Sequence, residues 1–225
     1  MSAPEPRPAL TLYNYWRSSC SWRARIALAH KGVAYAYQPV NLLRDGGEQL
    51  RDDYRAKNPM AQVPTLEFEQ GGAVRRVSQS MAIIELLEDW FPAPPLLPAD
   101  PYLRAKARQL AETINAGTQP LQNTGVLRHV RDELGRDEMA WARRFVAAGL
   151  AAFQATASEL AGKFCVGDQV TVADVLLVPQ LYNARRLAVD LAPLSLLTRI
   201  EAACMALPAF QTTHPDRQMD AVAGA

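Results

Sequence analysis

The chain has 225 residues, 49% of them hydrophobic, and a formal net charge of +1. That length and composition suit one large or two small globular domains with a substantial core, and so balanced a net charge gives no reason to expect nucleic acid or an anionic membrane as a partner. Cysteines at 20, 165 and 204 form no CxxC pair and leave an odd thiol, the opening residues lack the apolar core of a secretory signal, and no stretch suits a membrane span. A cytoplasmic protein is expected, and its three scattered histidines give no metal-ligand spacing.

In chain order, Leu10, Leu12 and Tyr13 predict a short strand and Ser21–Lys31 a helix stopped at Gly32. Between them YWRSSCSWRAR, at 15–25, places Ser18, Ser19 and Cys20 where the strand gives way to the helix. The opening turn of a helix presents unpaired N–H groups and a partial positive charge, which favour an anion. On the residues alone two readings stand. Either a thiolate sits there, that of Cys20 or of a small-molecule thiol, or Ser18, Ser19 and Ser21 are ordinary caps and Cys20 is a small buried residue.

AYAYQPV, at 34–40, predicts a second strand, and TLEF and AVRRV within 65–77 predict two more, joined at Gly71-Gly72 as a hairpin. Val63-Pro64 stands before that hairpin, where a trans proline would simply open an edge strand. Ser80–Trp90 follows as a helix with Ser80 as its N-cap and Ile83, Ile84, Leu86 and Leu87 on or near one face. A βαβ unit followed by a ββα unit is a thioredoxin-like arrangement.

Five prolines in FPAPPLLPADP exclude a helix or central strand and mark a boundary. The expected organisation is a first domain over 1–91, with 1–9 a mobile tail, a linker over 92–101 and an all-α domain over 102–225 whose last ten or so residues are mobile. Helices are predicted within 109–127, 141–160, 172–187 and 197–207, the first carrying Gln119 and Asn123 four apart on one face. Thr171 with Asp174 forms a capping box, stapled by Val170 and Val175, which assigns Asp174 to folding at a cost of about 1–2 kcal/mol on its loss. Arg185 and Arg186 end the third of these helices. In so arginine-rich a chain the default is a solvated pair, although a guanidinium fork also suits a carboxylate. His30, His129 and His214 form no readable triad.

SSCSWR at 18–23, NPMAQVPTL at 58–66, QSMAIIELLE at 79–88, INAGTQPLQN at 114–123, CVGDQVTVADVLLVPQ at 165–180 and NARRLAVDL at 183–191 together resemble the zeta class of glutathione transferases, over all but the first nine residues. The resemblance implies a thioredoxin-like glutathione-binding domain followed by an all-helical substrate domain, with glutathione as cofactor. It implies a cis Val63-Pro64 bond that turns the Val63 main chain toward the cysteinyl part of glutathione, Gln79 and Ser80 at the γ-glutamyl carboxylate, Gln49 at the glycine end, and Gln119 and Asn123 completing the site from the helical domain. Where the family carries small polar residues after the asparagine, this chain has Thr124 and Gly125.

Ser18, with Ser19 and Cys20, is implied to orient the glutathione thiolate, in preference to a tyrosine-type activation through Tyr13 or Tyr15. Arg186, and Arg17 beside the turn, are implied to hold substrate carboxylates, and Arg185 departs from an acidic residue frequent in the family. The implied reaction is the cis–trans isomerisation of maleylacetoacetate to fumarylacetoacetate, in aromatic amino acid catabolism, by thiolate addition, bond rotation and elimination in a homodimer. Alternatives are a maleylpyruvate isomerase, a general transferase acting on α-halo acids and a non-catalytic glutathione-binding module. The two glycines of 43–56 make a closing loop plausible.

Overall fold

The computed structural model describes residues 8–222. Strand β1 (Leu10–Asn14), helix α1 (Ser19–His30), strand β2 (Ala36–Pro39), the short helix α2 (Asp52–Arg55), strands β3 (Thr65–Gln70) and β4 (Ala73–Ser78) and helix α3 (Ser80–Trp90) follow in chain order. The sheet order is β2-β1-β3-β4, with β1 parallel to β2 and antiparallel to β3, and β3 antiparallel to β4. This is the thioredoxin-like arrangement expected. Leu12 lies opposite Leu66 in the β1–β3 register, both fully buried. Gly71 and Gly72 hold φ of 59° and 71°, the two left-handed positions of a hairpin turn whose twist matches its strands.

Helix α1 starts two residues earlier than predicted, because Ser18 caps it: its hydroxyl oxygen accepts the Ser21 N–H at 3.2 Å, which draws Ser19 and Cys20 into the first turn. Gly32 ends it at φ 64°. Helix α3 buries Ile83, Ile84 and Leu87, with Leu86 half-buried. Its cap position belongs to Gln79, so Ser80 is the first helical residue and not the cap.

The chain divides into two compact units, one of residues up to Pro94 together with those from Thr212 onward, the other Pro95–Gln211. The expected second domain over 102–225 thus differs at its end. Trp22 Nε1 donates to Thr213 Oγ1 at 3.0 Å, and the Asp220 carboxylate accepts the Trp16 N–H at 3.1 Å, so this segment is tied into the first unit in place of a loose end. Residues 1–7, most of the expected mobile tail, and 223–225 lie outside the described residues.

The second unit is helical: α4 (Pro101–Asn115), α5 (Thr124–Asp132), α6 (Glu138–Ala157), α7 (Val172–Arg186) and α8 (Ser195–Met205), then α9 (Pro208–Thr212), which runs across the division. Asp100 caps α4 by accepting the Leu103 N–H at 2.8 Å, with Pro101 at the first position, where its missing N–H costs nothing. The single helix predicted within 109–127 is broken: α4 ends at Asn115 and a 3₁₀ turn over Gln119–Gln122 leads into α5. Pro120 has no N–H to continue the helix, and Thr118 folds back, its hydroxyl donating to the Thr113 carbonyl at 2.7 Å. Every residue of α7 from Val172 to Leu181 is buried, which makes it the axis of this unit's core.

Candidate functional site

Strand register brings four chain segments to one edge of the sheet. Asn14 at the end of β1 pairs with Pro39 at the end of β2, Tyr13 with Thr65 at the start of β3, and Thr65 with Ser78 at the end of β4. The turn Arg17–Cys20, the segment leading to Gln49, the Val63-Pro64 bond and Gln79-Ser80 therefore all lead from that edge.

At the first of these, Ser18 accepts the Ser21 N–H while its hydroxyl proton has no acceptor among the described residues. The Ser19 and Cys20 N–H groups likewise have no backbone acceptor there. Ser19 is buried, Cys20 half-buried, and the Arg17 guanidinium lies 5.3 Å from the Trp16 ring centroid. One hydroxyl donor and two helical N–H groups thus converge on the helix N-terminus, an arrangement that favours an anion such as a thiolate. Tyr13 is occupied elsewhere: its hydroxyl donates to Glu67 at 3.2 Å, and burial together with that carboxylate pushes its pKa up.

The Val63-Pro64 bond is cis, and Val63 has neither its N–H nor its carbonyl in a backbone hydrogen bond among the described residues. Gln79 holds a φ of 74°, a left-handed conformation that costs a non-glycine residue about 1–3 kcal/mol, and α3 opens after it with the Ser80 and Met81 N–H groups free of backbone acceptors. Ser80 Oγ accepts from Arg23 Nη1 at 3.4 Å, which places a fully buried guanidinium beneath that helix start. Gln49 lies in a 3₁₀ turn over Glu48–Leu50, buried, its Oε1 without a partner. Gly47 stands beside it at φ 116°, a backbone conformation that strains any residue with a Cβ.

Within the helical unit, Gln119 and Asn123 do not share an α-helical face. Gln119 is in the 3₁₀ turn, with three residues per turn, and Asn123 is the extended cap of α5, its Oδ1 accepting the Thr124 N–H at 2.9 Å. The neighbouring Gln122 donates from Nε2 to Gln180 Oε1 of α7 at 2.8 Å. Arg185 and Arg186 are both exposed, as a solvated pair would be, but they differ in their partners: Arg185 forks onto Glu201 of α8, Nη1 to Oε1 at 2.6 Å and Nη2 to Oε2, while Arg186 occupies the last position of α7.

The glutathione S-transferase N-terminal domain family matches residues 17–90. The maleylacetoacetate isomerase of Rattus norvegicus is 47% identical over 93% of this chain and 94% of its own length. The chain belongs to the maleylacetoacetate isomerase family of glutathione transferases. Among solved structures of this family, maleylacetoacetate isomerase from Anaeromyxobacter dehalogenans 2CP-1 with glutathione bound in its active site is 51% identical, with a TM-score of 0.88 over 96% of this chain and 99% of that one. The same enzyme with dicarboxyethyl glutathione and citrate bound gives 50% identity and 0.88 over 96% and 98%. A maleylpyruvate isomerase described as a bacterial zeta-class glutathione S-transferase is 40% identical, with a TM-score of 0.88 over 94% of this chain and all of that one.

Two features of this family member escaped the sequence reading. Tyr54, its pKa pushed up to about 12 by burial, donates to the Gln62 carbonyl at 2.7 Å and lies 3.1 Å from Thr65 Oγ1, which lies 3.2 Å from Ser78 Oγ. This hydroxyl chain joins the residue before Val63 to the residue before Gln79, a link between segments that no local pattern announces. Asp174 is the second. Its capping box is present, but the carboxylate is fully buried and accepts the Thr171 N–H (2.8 Å) and hydroxyl (2.9 Å) and the Cys165 N–H (2.8 Å). Burial raises its pKa and those of Cys165 and Cys204 nearby, which marks them as core thiols and leaves Cys20 as the only cysteine of the three that is not buried.

Proposed function

We propose that this chain catalyses the glutathione-dependent cis–trans isomerisation of maleylacetoacetate to fumarylacetoacetate, a step of aromatic amino acid catabolism, as a cytoplasmic homodimer. What carries the reading is the convergence of the Ser18 turn, Val63 and the start of α3 on one sheet edge, in a chain with 47% identity to a maleylacetoacetate isomerase over nearly its whole length.

The polar groups at that edge fit glutathione. Gln49 Oε1 is a buried acceptor awaiting a donor, Val63 offers a main-chain donor and acceptor, and the start of α3, above the Arg23 guanidinium, suits a carboxylate. In this reading Gln49 takes the glycine end, Val63, held by Pro64, the cysteinyl main chain, and Gln79 and Ser80 the γ-glutamyl carboxylate. When bound, glutathione supplies a thiolate that adds reversibly to an electron-poor cis double bond and so permits rotation about it. Ser18 donates its unused hydroxyl proton to the sulfur, the Ser19 and Cys20 N–H groups add the field of the helix N-terminus, and Cys20 lines the turn. Arg17 and Arg186 hold the two substrate carboxylates through charge-assisted forks.

Maleylpyruvate is the second substrate to weigh, since a maleylpyruvate isomerase superposes with the same TM-score of 0.88 as the maleylacetoacetate isomerase. Turnover of both substrates by purified protein, with and without glutathione, decides. Preference for maleylacetoacetate is expected, preference for maleylpyruvate replaces it, and turnover of neither removes the isomerase reading and leaves a transferase on α-halo acids or a binding module. Light scattering at micromolar concentration tests the homodimer, a monomer mass refuting it.

A further inference from the structure

The turn that carries Ser18 is held by groups the proposed chemistry leaves unused. Arg25 of α1 is fully buried, and its guanidinium donates to Asn14 Oδ1 at 2.8 Å, the Tyr15 carbonyl at 3.2 Å, the Trp16 carbonyl at 2.8 Å and the Thr213 carbonyl at 3.4 Å. Three of those four acceptors belong to the residues just ahead of Arg17 and Ser18. Asp220 reaches the same turn, one carboxylate oxygen accepting the Trp16 N–H at 3.1 Å and the other the Tyr37 hydroxyl. Tyr15 N–H donates to Ser21 Oγ at 3.3 Å and Ser18 N–H to the Tyr15 carbonyl at 3.1 Å. Each N–H and carbonyl of Tyr15 and Trp16 is therefore engaged, and those of Trp16 are held by Arg25 and Asp220.

Burying a guanidinium is costly unless its donors are met and an opposite charge is near. Burial does lower the pKa of Arg25, while Tyr37, Tyr35 and Asp220 act against that fall. A small tilt of the Trp16 peptide would carry Ser18 and the two N–H groups after it away from a common point.

We infer that Asp220 is a positioning residue, which acts with Arg25 as a latch on the main chain of Trp16, 204 residues away in sequence, and so sets the aim of Ser18. The inference rests on the reading of that turn as the thiol site. It uses no contact between Asp220 and substrate.

Asp220→Ala removes both acceptor oxygens, and Asp220→Asn keeps one. In the full chain, at a temperature well below the melting transition, kcat is expected to fall about tenfold in Asp220→Ala and less in Asp220→Asn, since slight misplacement of a catalytic group is costly. KM for glutathione stays within about twofold, because Gln49, Val63 and Ser80 lie on other segments. A second readout needs neither glutathione nor turnover: alkylation of Cys20 by iodoacetamide, followed by peptide mass spectrometry with buried Cys165 and Cys204 as references, changes by about threefold or more in Asp220→Ala.

A folded Asp220→Ala with a lowered melting temperature but unchanged kcat and Cys20 alkylation overturns the latch and leaves Asp220 a structural tie. If Asp220→Ala does not fold, Asp220→Asn carries the same comparison. Should the wild-type protein turn over neither substrate, the isomerase reading falls, and Cys20 alkylation still decides whether Asp220 orders the turn.

Discussion

Replacing Asp174 separates a folding role from a catalytic one. In Asp174→Ala two buried N–H donors, of Cys165 and Thr171, lose their acceptor, while the Thr171 hydroxyl is free to rotate. Each buried donor left unmet costs about 1–3 kcal/mol, and release of a desolvated carboxylate offsets part of the sum, so the net loss is about 2–4 kcal/mol. With a urea slope of about 3 kcal/mol/M for a chain of this size, the unfolding midpoint falls by about 1 M. The pH dependence follows from the raised pKa of Asp174. A folded-state pKa above the unfolded value contributes stability that is complete below the unfolded carboxylate range and is lost as pH rises through the folded pKa. The deficit of Asp174→Ala relative to wild type is therefore largest in acid and shrinks toward neutral pH. An unchanged urea midpoint, a deficit that grows with pH, or full stability with lost turnover would each refute the reasoning.

Ser18→Ala is expected to lower kcat by about 10- to 100-fold while costing about 1 kcal/mol of stability through the lost cap, and an unchanged turnover number sinks its role as thiol donor. Arg186→Ala raises KM for the dicarboxylic substrate by about 10- to 100-fold in steady-state assays. Arg185→Ala, whose fork is taken by Glu201, leaves that KM alone and costs less than about 1 kcal/mol; equal effects on KM from the two would contradict the assignment. Gln49→Ala raises KM for glutathione about tenfold by removing the buried amide acceptor, and an unaltered KM removes Gln49 from the site.

Much of the local structure was legible in the residues. Gly71-Gly72 made the hairpin because two adjacent left-handed positions are what a two-residue turn requires, Ser80–Trp90 declared its buried face by spacing, and Thr171 with Asp174 declared a helix start. Each of these signals acts within four residues of itself. Where the decision lay between close neighbours the reading slipped. Ser18 rather than Ser21 opened α1, Gln79 rather than Ser80 took the cap position of α3, and Pro120 with Thr118 broke a helix whose composition was otherwise favourable.

Most of the candidate site residues were found through six motifs in the family's order, and not through chemistry that any one of them displays alone; Arg17 and Gln49 lie outside those motifs. Sequence by itself determined the four strands, the bodies of α1, α3, α6, α7 and α8, the proline-rich break and the presence of hydroxyls and a thiol at a helix start. Tertiary structure alone decided that the ends of β1 and β4 and the start of β3 meet at one edge of the sheet, that the Asp174 of the capping box is also a buried hub, and that Arg25 and Asp220 grip the same turn. Those outcomes depend on strand register and on which side chains lose water together, and both are set by partners up to 204 residues apart.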